Sequence, residues 1–486
     1  MIKKIFLILL IILFFSLTIT GCCSKASKEL EELRKIRKEV SDLLKIKKKE
    51  GFNINEAREL VFYAIQTTII EKDFKKGIKY FKEALKILNK LSPQTPKEYL
   101  VFFQKRHFGG KGDIHDVKSA GLKWVITYPG PVIWGNIERK RSSYNWQEVD
   151  HYVIECQNSN LYPIIIIWPY AKWDQAEKST YKVFSSYEEL GNYRTKPRDI
   201  TSYQIFIRKL VDRYNGDGIE DMPNLKYPIK YWQILSYPSS SGQPYSSFEG
   251  TVADYIELLK ITYPAIKSAD PSSRVILGDS PSSFQYWSDF FKKDPKKYFD
   301  AANINIQNYN EFKTYLKIFK KHKIKSFIIS DIQNQSKLRD RAKTIELFKV
   351  IIEALSQGAG KIFLSLENPI IINTDINKSY FYNALGLLLH KIDEFNTIKK
   401  IDEGQYKLTN KSNNKITYVL WGWKKIPKEI KSLGNVNHNR LFQKEKTINY
   451  LFVQSAYTPV IIDAENEIIK KQKKDNRRLK TDNRKK

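Results

Sequence analysis

The stretch from Ile229 to Leu235, which reads IKYWQIL, is followed at once by Ser236, Tyr237 and Pro238. Its length and its aromatic and β-branched residues are typical of a buried strand. A parallel strand that is covered on both faces lacks the strict alternation of a half-exposed strand. The stretch therefore predicts one strand of a parallel sheet, which ends in a polar turn.

Seven further runs of this kind flank it, and helix-like segments lie between them. The eight predicted strands are 99–104, 121–128, 161–170, 229–235, 274–278, 299–306, 324–330 and 361–366. The helix-like segments include 146–158, 202–214, 252–268, 312–321, 342–356 and 380–391. Eight strands that alternate with helices over about 300 residues predict a (β/α)8 TIM barrel, an α/β fold. A doubly wound sheet is the alternative, because it could use the same strands.

The regions outside residues 96–398 follow other patterns. Residues 22–95 are charged, with apolar positions three and four apart, and the segment from Phe74 to Leu85 resembles half of a tetratricopeptide-type helix pair. One such pair cannot bury a core, so we interpret the region as a helical spacer. Residues 399–463 contain short apolar runs that predict a small β domain, and 464–486 form a basic tail.

The N-terminus predicts a lipoprotein signal peptide over residues 1–21. Two lysines precede an apolar run from Ile5 to Ile19, which is shorter than the roughly 20 residues of a membrane span. Small residues then precede Cys22. We therefore expect export to the cell envelope, cleavage after Gly21, and a lipid anchor on Cys22 that holds the protein on a bacterial membrane. An uncleaved N-terminal helix is the alternative.

The composition narrows the classes of ligand. The formal net charge is +30, for which a lysine-rich genome, anionic lipid and anionic polysaccharide are competing explanations. Nucleic acid does not fit an exported, lipid-anchored chain. Three cysteines give no disulfide framework, and no sequence cluster of His, Cys and carboxylates predicts a metal site. We expect no cofactor, and we interpret the glycine-rich segment 109–112 (GGKG) as a turn.

A set of short motifs follows a fixed order along residues 99–463. The motifs are GLKWV (121–125), WGNIE (134–138), YNW (144–146), WPYA (168–171), LVDRY (210–214), KYWQI (230–234), GQY (404–406) and YVLW (418–421). In order and spacing they resemble clan A glycoside hydrolases of the cellulase-like and β-galactosidase-like kind. The resemblance implies a (β/α)8 barrel that binds a polysaccharide or another glycan.

The resemblance also implies where the catalytic groups would lie. In that clan the acid follows strand four in an Asn-Glu-Pro motif, and the nucleophile is a glutamate that ends strand seven. Here Ser236 and Tyr237 precede the proline, and Asp331 ends strand seven. A tyrosine hydroxyl with a pKa of about 10 is a poor acid at neutral pH. A displacement of about an angstrom at the shorter nucleophile costs on the order of 100-fold. Ile126 also stands where an arginine would support the nucleophile.

We therefore expect a pseudo-glycosidase that binds a glycan without cleaving it. The residues expected to contact the glycan are Trp134, Trp168, Trp173, Ser236, Asn305 and Glu367. We expect Trp134 and Trp173 to be exposed, and we leave Trp168 open between core and cleft. The alternatives are an active glycoside hydrolase that uses Asp331 with a relocated acid such as Glu367, and a scaffold lipoprotein of the envelope.

Overall fold

The structure is a computed structural model that divides the chain into two compact units, residues 1–95 and 96–486. It describes residues 24–49, 57, 60–61, 64–65, 68, 73–90, 100, 102–175, 194–239, 247–279, 283–332, 341–366, 380–410, 415–422, 425–431, 435–441, 446–449 and 457–465. The predicted signal peptide, Cys22, Glu367 and the tail beyond residue 465 lie outside the described residues.

The first unit is built around two helices, α1 (Ser24–Lys49) and α2 (Phe74–Lys90). Apolar residues three and four positions apart put one continuous stripe on each helix. The buried stripes are Leu33, Ile36 and Val40 on α1, and Ile78, Phe81, Ala84 and Leu88 on α2. Burial of these stripes against each other, rather than helix propensity alone, stabilises helices of this length.

The second unit begins with strands that alternate with helices. The strands are β1 (Phe108–Lys111), β2 (Trp124–Ile126), β3 (Val132–Ile133), β4 (Tyr162–Pro163), β5 (Ile165–Trp168), β6 (Tyr231–Ile234), β7 (Arg274–Leu277), β8 (Ala302–Ile306), β9 (Phe327–Ile332) and β10 (Ala359–Ser365). The helices are α3 (Ile114–Ser119), α4 (Trp134–Ile137), α5 (Gln147–Asn158), α6 (Ile200–Tyr214), α7 (Val252–Ala269), α8 (Phe284–Lys292), α9 (Tyr309–Lys321), α10 (Arg341–Ser356) and α11 (Tyr380–Leu387). Short 3₁₀ and π turns follow at Lys296–Tyr298 and Leu388–Ile392.

These strands form two parallel sheets, ordered β4-β2-β1-β10-β9-β8 and β3-β5-β6-β7. Strands β4 and β5 belong to different sheets although only Ile164 separates them in the chain. A parallel bridge between Ile276 and Ala301 links β7 to the segment that leads into β8. The fold is therefore mixed α/β, with parallel sheets and helical crossovers.

An antiparallel sheet follows, with the order β11-β12-β13-β16-β14-β15. Its strands are β11 (Thr397–Asp402), β12 (Gln405–Asn410), β13 (Lys415–Leu420), β14 (Asn435–Arg440), β15 (Lys446–Asn449) and β16 (Val460–Glu465), with the short helix α12 (Lys428–Lys431) after β13. This sheet covers the region in which the sequence predicts a small β domain. None of the helices formed by the described residues combines the length and the apolar character that crossing a bilayer requires.

The predicted first strand, 99–104, is wrong. Of these residues the structure describes 100 and 102–104, and all are helical. The strand is instead formed by the segment interpreted as a turn, which includes Gly109 and Gly110. A Cβ at Gly109 would lie 2.4 Å from a ring carbon of Phe363, and one at Gly110 would lie 2.6 Å from Val117. Because the neighbouring side chains leave no room, this strand lacks the apolar residues that mark the others.

Candidate functional site

Polar side chains meet at the carboxyl ends of the parallel strands. Lys111 ends β1, Tyr237 follows β6, Asp279 follows β7, Asn305 lies near the end of β8, and Asp331 lies near the end of β9. Carboxyl ends of parallel strands share one edge of a sheet, and α/β proteins build their ligand sites there. The topology therefore makes this edge the first place to look for a functional site.

The ammonium of Lys111 lies at the centre of this group. Its Nζ is 3.4 Å from Asp331 Oδ2 and 3.8 Å from Asp279 Oδ2, and it donates to the hydroxyl of Tyr237 at 3.4 Å. It also lies 5.8 Å from the ring centroid of Tyr128 and 5.5 Å from that of Tyr237. The exposed fractions of Lys111, Asp279 and Asp331 are 5%, 1% and 4%. One buried ammonium therefore faces two buried carboxylates and two aromatic rings.

A second layer of polar side chains holds Asp279 in place. Its Oδ1 accepts hydrogen bonds from the hydroxyl of Ser236 and from Gln233 Nε2, the latter at 3.2 Å. Asn303 Nδ2 donates to Gln233 Oε1 at 3.0 Å, and Asn303 Oδ1 accepts from the backbone N–H of Ser330 at 3.2 Å. Chains of buried hydrogen bonds of this kind fix the orientation of the groups that they end on.

The turn after β6 has an unusual backbone. Leu235 and Tyr237 have φ angles of 62° and 55°, in the left-handed region that residues other than glycine rarely adopt. The N–H of Tyr237 donates to the carbonyl of Asp279 at 2.7 Å, and a Cβ at Gly278 would lie 2.9 Å from the carbonyl of Leu235. Backbone strain of about 1–3 kcal/mol per residue persists where the surroundings enforce it, and it clusters at functional sites.

Asn305 is a fully buried amide. Neither its Nδ2 nor its Oδ1 has a hydrogen-bond partner among the described residues. It faces Asp331 in the pairing of β8 with β9, and it shares a strand face with Asn303, which contacts Gln233. Buried amides are nearly always hydrogen-bonded. An amide left open next to the Lys111 group therefore indicates a place for the polar atoms of a ligand.

The structure thus brings together four of the predicted site residues, Ser236, Tyr237, Asn305 and Asp331. The sequence reasoning missed Lys111, because its segment was interpreted as a turn. Ile126 is buried in β2, where an arginine was expected to support Asp331. The cation that contacts Asp331 comes from the neighbouring strand β1 instead. The sequence offered one signal for Lys111 as a site residue: it follows two glycines and precedes a third.

Trp168 belongs to the wall behind this group. It ends β5, is fully buried, and donates from Nε1 to the carbonyl of Pro129 at 2.7 Å. Its ring centroid lies 5.7 Å from that of Tyr128, which in turn lies near Lys111. Trp168 therefore packs in the core, and it borders the site through Tyr128.

The expected exposure of Trp134 is wrong. The side chain is fully buried. Burial is possible because the indole N–H has a partner, Glu138 Oε2 at 2.7 Å, and because the ring packs against Trp173, with 4.9 Å between the ring centroids. Trp173 is partly buried and donates to the carbonyl of Glu138 at 2.6 Å. Both indole N–H groups thus donate to Glu138, one to its carboxylate and the other to its backbone carbonyl. Their expected contact with a glycan stays a prediction.

No group of three His, Cys, Asp or Glu side chains that could hold a metal occurs among the described residues. The arrangement can still act chemically in two ways. The carboxylates and the Asn305 amide can hydrogen-bond hydroxyl groups, and a pair of carboxylates can perform acid–base work. Which of the two uses applies depends on the Lys111 ammonium, because it contacts both carboxylates.

No protein-family model and no curated protein sequence matches the chain. Solved structures of low sequence identity are similar to it. A family 39 glycoside hydrolase from Bacteroides cellulosilyticus has a TM-score of 0.49 and 11% identity, over 75% of this chain and 82% of its own. A monomeric beta-xylosidase from Caulobacter crescentus has a TM-score of 0.48 and 12% identity, over 74% and 98%. A glycoside hydrolase family 30 subfamily 8 xylanase from Clostridium acetobutylicum has a TM-score of 0.48 and 13% identity, over 74% and 96%.

Proposed function

We propose that this chain is a lipoprotein, anchored to a membrane through Cys22, whose main domain binds a glycan without cleaving it. The observation that carries the non-catalytic part is the Lys111 ammonium between Asp331 and Asp279. The anchor rests on the sequence of the N-terminal signal. The domain is proposed to be a (β/α)8 barrel of the glycoside-hydrolase kind with an altered catalytic site.

Strand pairing supports the barrel. Starting from β1, parallel partners lead through β2 to β4, and the chain continues directly into β5. From β5 they lead through β6 to β7, and the Ile276–Ala301 bridge leads to β8. β8, β9 and β10 are paired in turn, and Phe108 of β1 pairs with Ile362 of β10. A circuit that returns to its first strand is what a closed barrel requires.

In the described part of the site, the positions expected for the two catalytic groups of a retaining glycosidase hold altered side chains. Such an enzyme needs one carboxyl group that protonates the leaving oxygen and a second that attacks the anomeric carbon. Tyr237 stands at the acid position, and its hydroxyl accepts a hydrogen bond from Lys111. The same ammonium contacts Asp331 and therefore offsets the negative charge that would stabilise an oxocarbenium-like transition state. These contacts favour binding over hydrolysis.

The same groups suit a hydroxyl-rich ligand. The Asp331 and Asp279 carboxylates can accept hydrogen bonds from sugar hydroxyls, and the open Asn305 amide can both donate and accept. The half-buried Tyr128 ring lies beside them and offers an apolar face for the C–H groups of a sugar. Ligand sites typically combine such apolar walls with a few convergent polar groups.

A hydrolysis screen tests the proposal. The chain from Ser24 to its C-terminus, which contains every described residue, would be incubated with a panel of polysaccharides beside its Asp331→Asn variant. We expect no product from either protein by mass spectrometry, together with retention of the native protein on at least one glycan. Product from the native protein that Asp331→Asn abolishes would instead establish the alternative, an active hydrolase. Failure to bind any glycan would leave the scaffold alternative.

Replacement of Asn305 by leucine separates binding from stability. The change should lower glycan affinity about 10-fold through lost hydrogen bonds. The free energy of unfolding should stay the same or rise by up to about 1 kcal/mol, because an open buried amide is removed. Affinity electrophoresis and urea unfolding measure the two effects.

The matched control lies on the same strand face. Asn303→Leu removes hydrogen bonds to Gln233 and to the N–H of Ser330, so it should cost about 1–3 kcal/mol of stability. Unchanged glycan affinity in Asn305→Leu would contradict the assignment of Asn305 to the binding site. A large loss of stability would show that the amide serves the fold.

A further inference from the structure

Helix α2 presents a row of lysines on its exposed face. Lys75, Lys79, Lys82 and Lys86 are spaced by four, three and four residues, which places them along one side of the helix. All four are exposed, whereas the opposite side of the helix is buried against the core of the first unit. These four residues are called the lysine row below.

The described acidic residues compensate only part of the charge of this helix. Its 17 residues include six lysines and one glutamate. From helix α1, Glu29 lies 3.7 Å from the ammonium of Lys75, and Glu32 lies 2.7 Å from that of Lys82. Because the lysines outnumber the acidic partners among the described residues, this part of the surface is positive.

The ion pair between Lys75 and Glu29 shows which part of α1 lies beside the first lysine of the row. This helix starts at Ser24, two residues after Cys22. Glu29 lies five residues into it, which is about 8 Å at the rise of an α-helix. The Debye length at physiological ionic strength is also about 8 Å. If Cys22 carries the anchor, the Lys75 end of the row lies within reach of the headgroups.

We propose that the lysine row binds the anionic lipid headgroups of the membrane that holds the protein. A lysine near such a surface strengthens binding by about five-fold at ordinary salt, so four in a row form a substantial second contact beside a lipid anchor. For its closeness to the bilayer the proposal rests on the anchor at Cys22. The row itself is a property of the folded first unit.

Vesicle binding tests the row without the anchor. The chain from Ser24 onward would be sedimented with vesicles of phosphatidylcholine alone and with vesicles that also contain phosphatidylglycerol. We expect binding only to the anionic vesicles, with a loss at high salt because counterions screen the charges. The variant Lys75→Glu with Lys79→Glu and Lys82→Glu should bind more than about 100-fold more weakly.

Helix α9 supplies a matched control. Lys313, Lys317 and Lys320 are exposed and have the same spacing of four and three. Their reversal to glutamate changes the net charge equally and should lower binding by less than about five-fold. Equal losses in the two triple variants would overturn the proposal, because the net charge of the whole chain would then explain binding. Absence of binding to anionic vesicles would also overturn it.

A milder variant guards against unfolding of the first unit. Lys79→Gln with Lys86→Gln leaves the ion pairs of Lys75 and Lys82 intact, and it should lower binding about 20-fold while the helical circular dichroism stays unchanged. Incorporation of labelled palmitate into the full chain and into its Cys22→Ala variant, measured in a bacterial host, reports on the anchor separately. The palmitate experiment and the vesicle experiment therefore test the two proposals, the anchor at Cys22 and the lysine row, independently.

Discussion

Replacement of Lys111 by methionine should lower the free energy of unfolding by about 3–5 kcal/mol at neutral pH. Methionine fills a similar volume, so the change removes charge more than packing. The loss is large because Asp279 and Asp331 are almost fully buried and both contact the Lys111 ammonium. Without it, two like charges remain together in a poorly solvated place. Urea unfolding followed by tryptophan fluorescence measures the effect.

A double-mutant cycle isolates the charge effect. Asp331→Asn in the Lys111→Met background removes one of the uncompensated carboxylates, so it should recover about 1–3 kcal/mol. Asp331→Asn in the native background should instead destabilise the chain, because it removes a partner of the ammonium. A cost below about 1 kcal/mol for Lys111→Met, or additive effects in the cycle, would show that this ion pair does not organise the site.

The strands that the sequence predicts well share one physical property. Ile165–Trp168 and Tyr231–Ile234 are covered on both sides, so their sequences are rich in large apolar residues. Strand β1 is equally buried but touches Phe363 and Val117 so closely that glycine is required. Its sequence therefore resembles a turn. The packing that distinguishes the two cases comes from residues distant in the chain.

The same reasoning explains which site residues were predictable. Ser236, Tyr237 and Asp331 lie next to strand ends that the sequence indicates, and side chains at such positions converge in a parallel sheet. Lys111 escaped prediction together with its strand. The burial of Trp134 depends on a hydrogen bond to Glu138 and on the ring of Trp173. The residue types around Trp134 in the sequence do not reveal either contact.

A second buried lysine lies near the start of strand β10. Lys361 Nζ donates to the carbonyl of Gln104 at 3.0 Å and also to that of Arg106, and it lies 4.4 Å from the ring centroid of Trp124. Burial lowers the pKa of Lys361 to about 7, although the nearby Asp393 carboxylate acts in the opposite direction. This ammonium therefore gives up its proton much more easily in the folded chain than in the unfolded chain.

The sign of the resulting pH dependence follows from proton counting. Between the folded pKa of Lys361, about 7, and the ordinary lysine value of 10.5, the unfolded chain binds more protons, so stability rises with pH. We expect a gain of about 2 kcal/mol in the free energy of unfolding from pH 7 to pH 9. From about pH 9 upward the buried Cys156 opposes the trend, because burial raises its pKa to about 12 while the unfolded thiol ionises near 9.0.

Two neighbours of Lys361 titrate below this window and act against each other. Burial lowers the pKa of His107 to about 4, which makes stability rise with pH up to the ordinary histidine value of 6.5. Burial raises the pKa of Asp393 to about 6, which makes stability fall with pH from the ordinary value of 3.8. Between pH 7 and pH 9 both groups are past their transitions, so neither of them sets the slope to which Lys361 contributes.

Lys361→Met should therefore abolish the rise in stability between pH 7 and pH 9. The variant loses hydrogen bonds to Gln104 and Arg106, which costs stability at every pH, but it no longer contains the group that titrates. Urea unfolding at pH 7, 8 and 9 distinguishes this loss of slope from a uniform loss. Lys313→Met, at an exposed position of α9, should keep the native slope. A slope that survives in Lys361→Met would mean that the lysine stays protonated in the folded chain, held by the two carbonyls and the Trp124 ring.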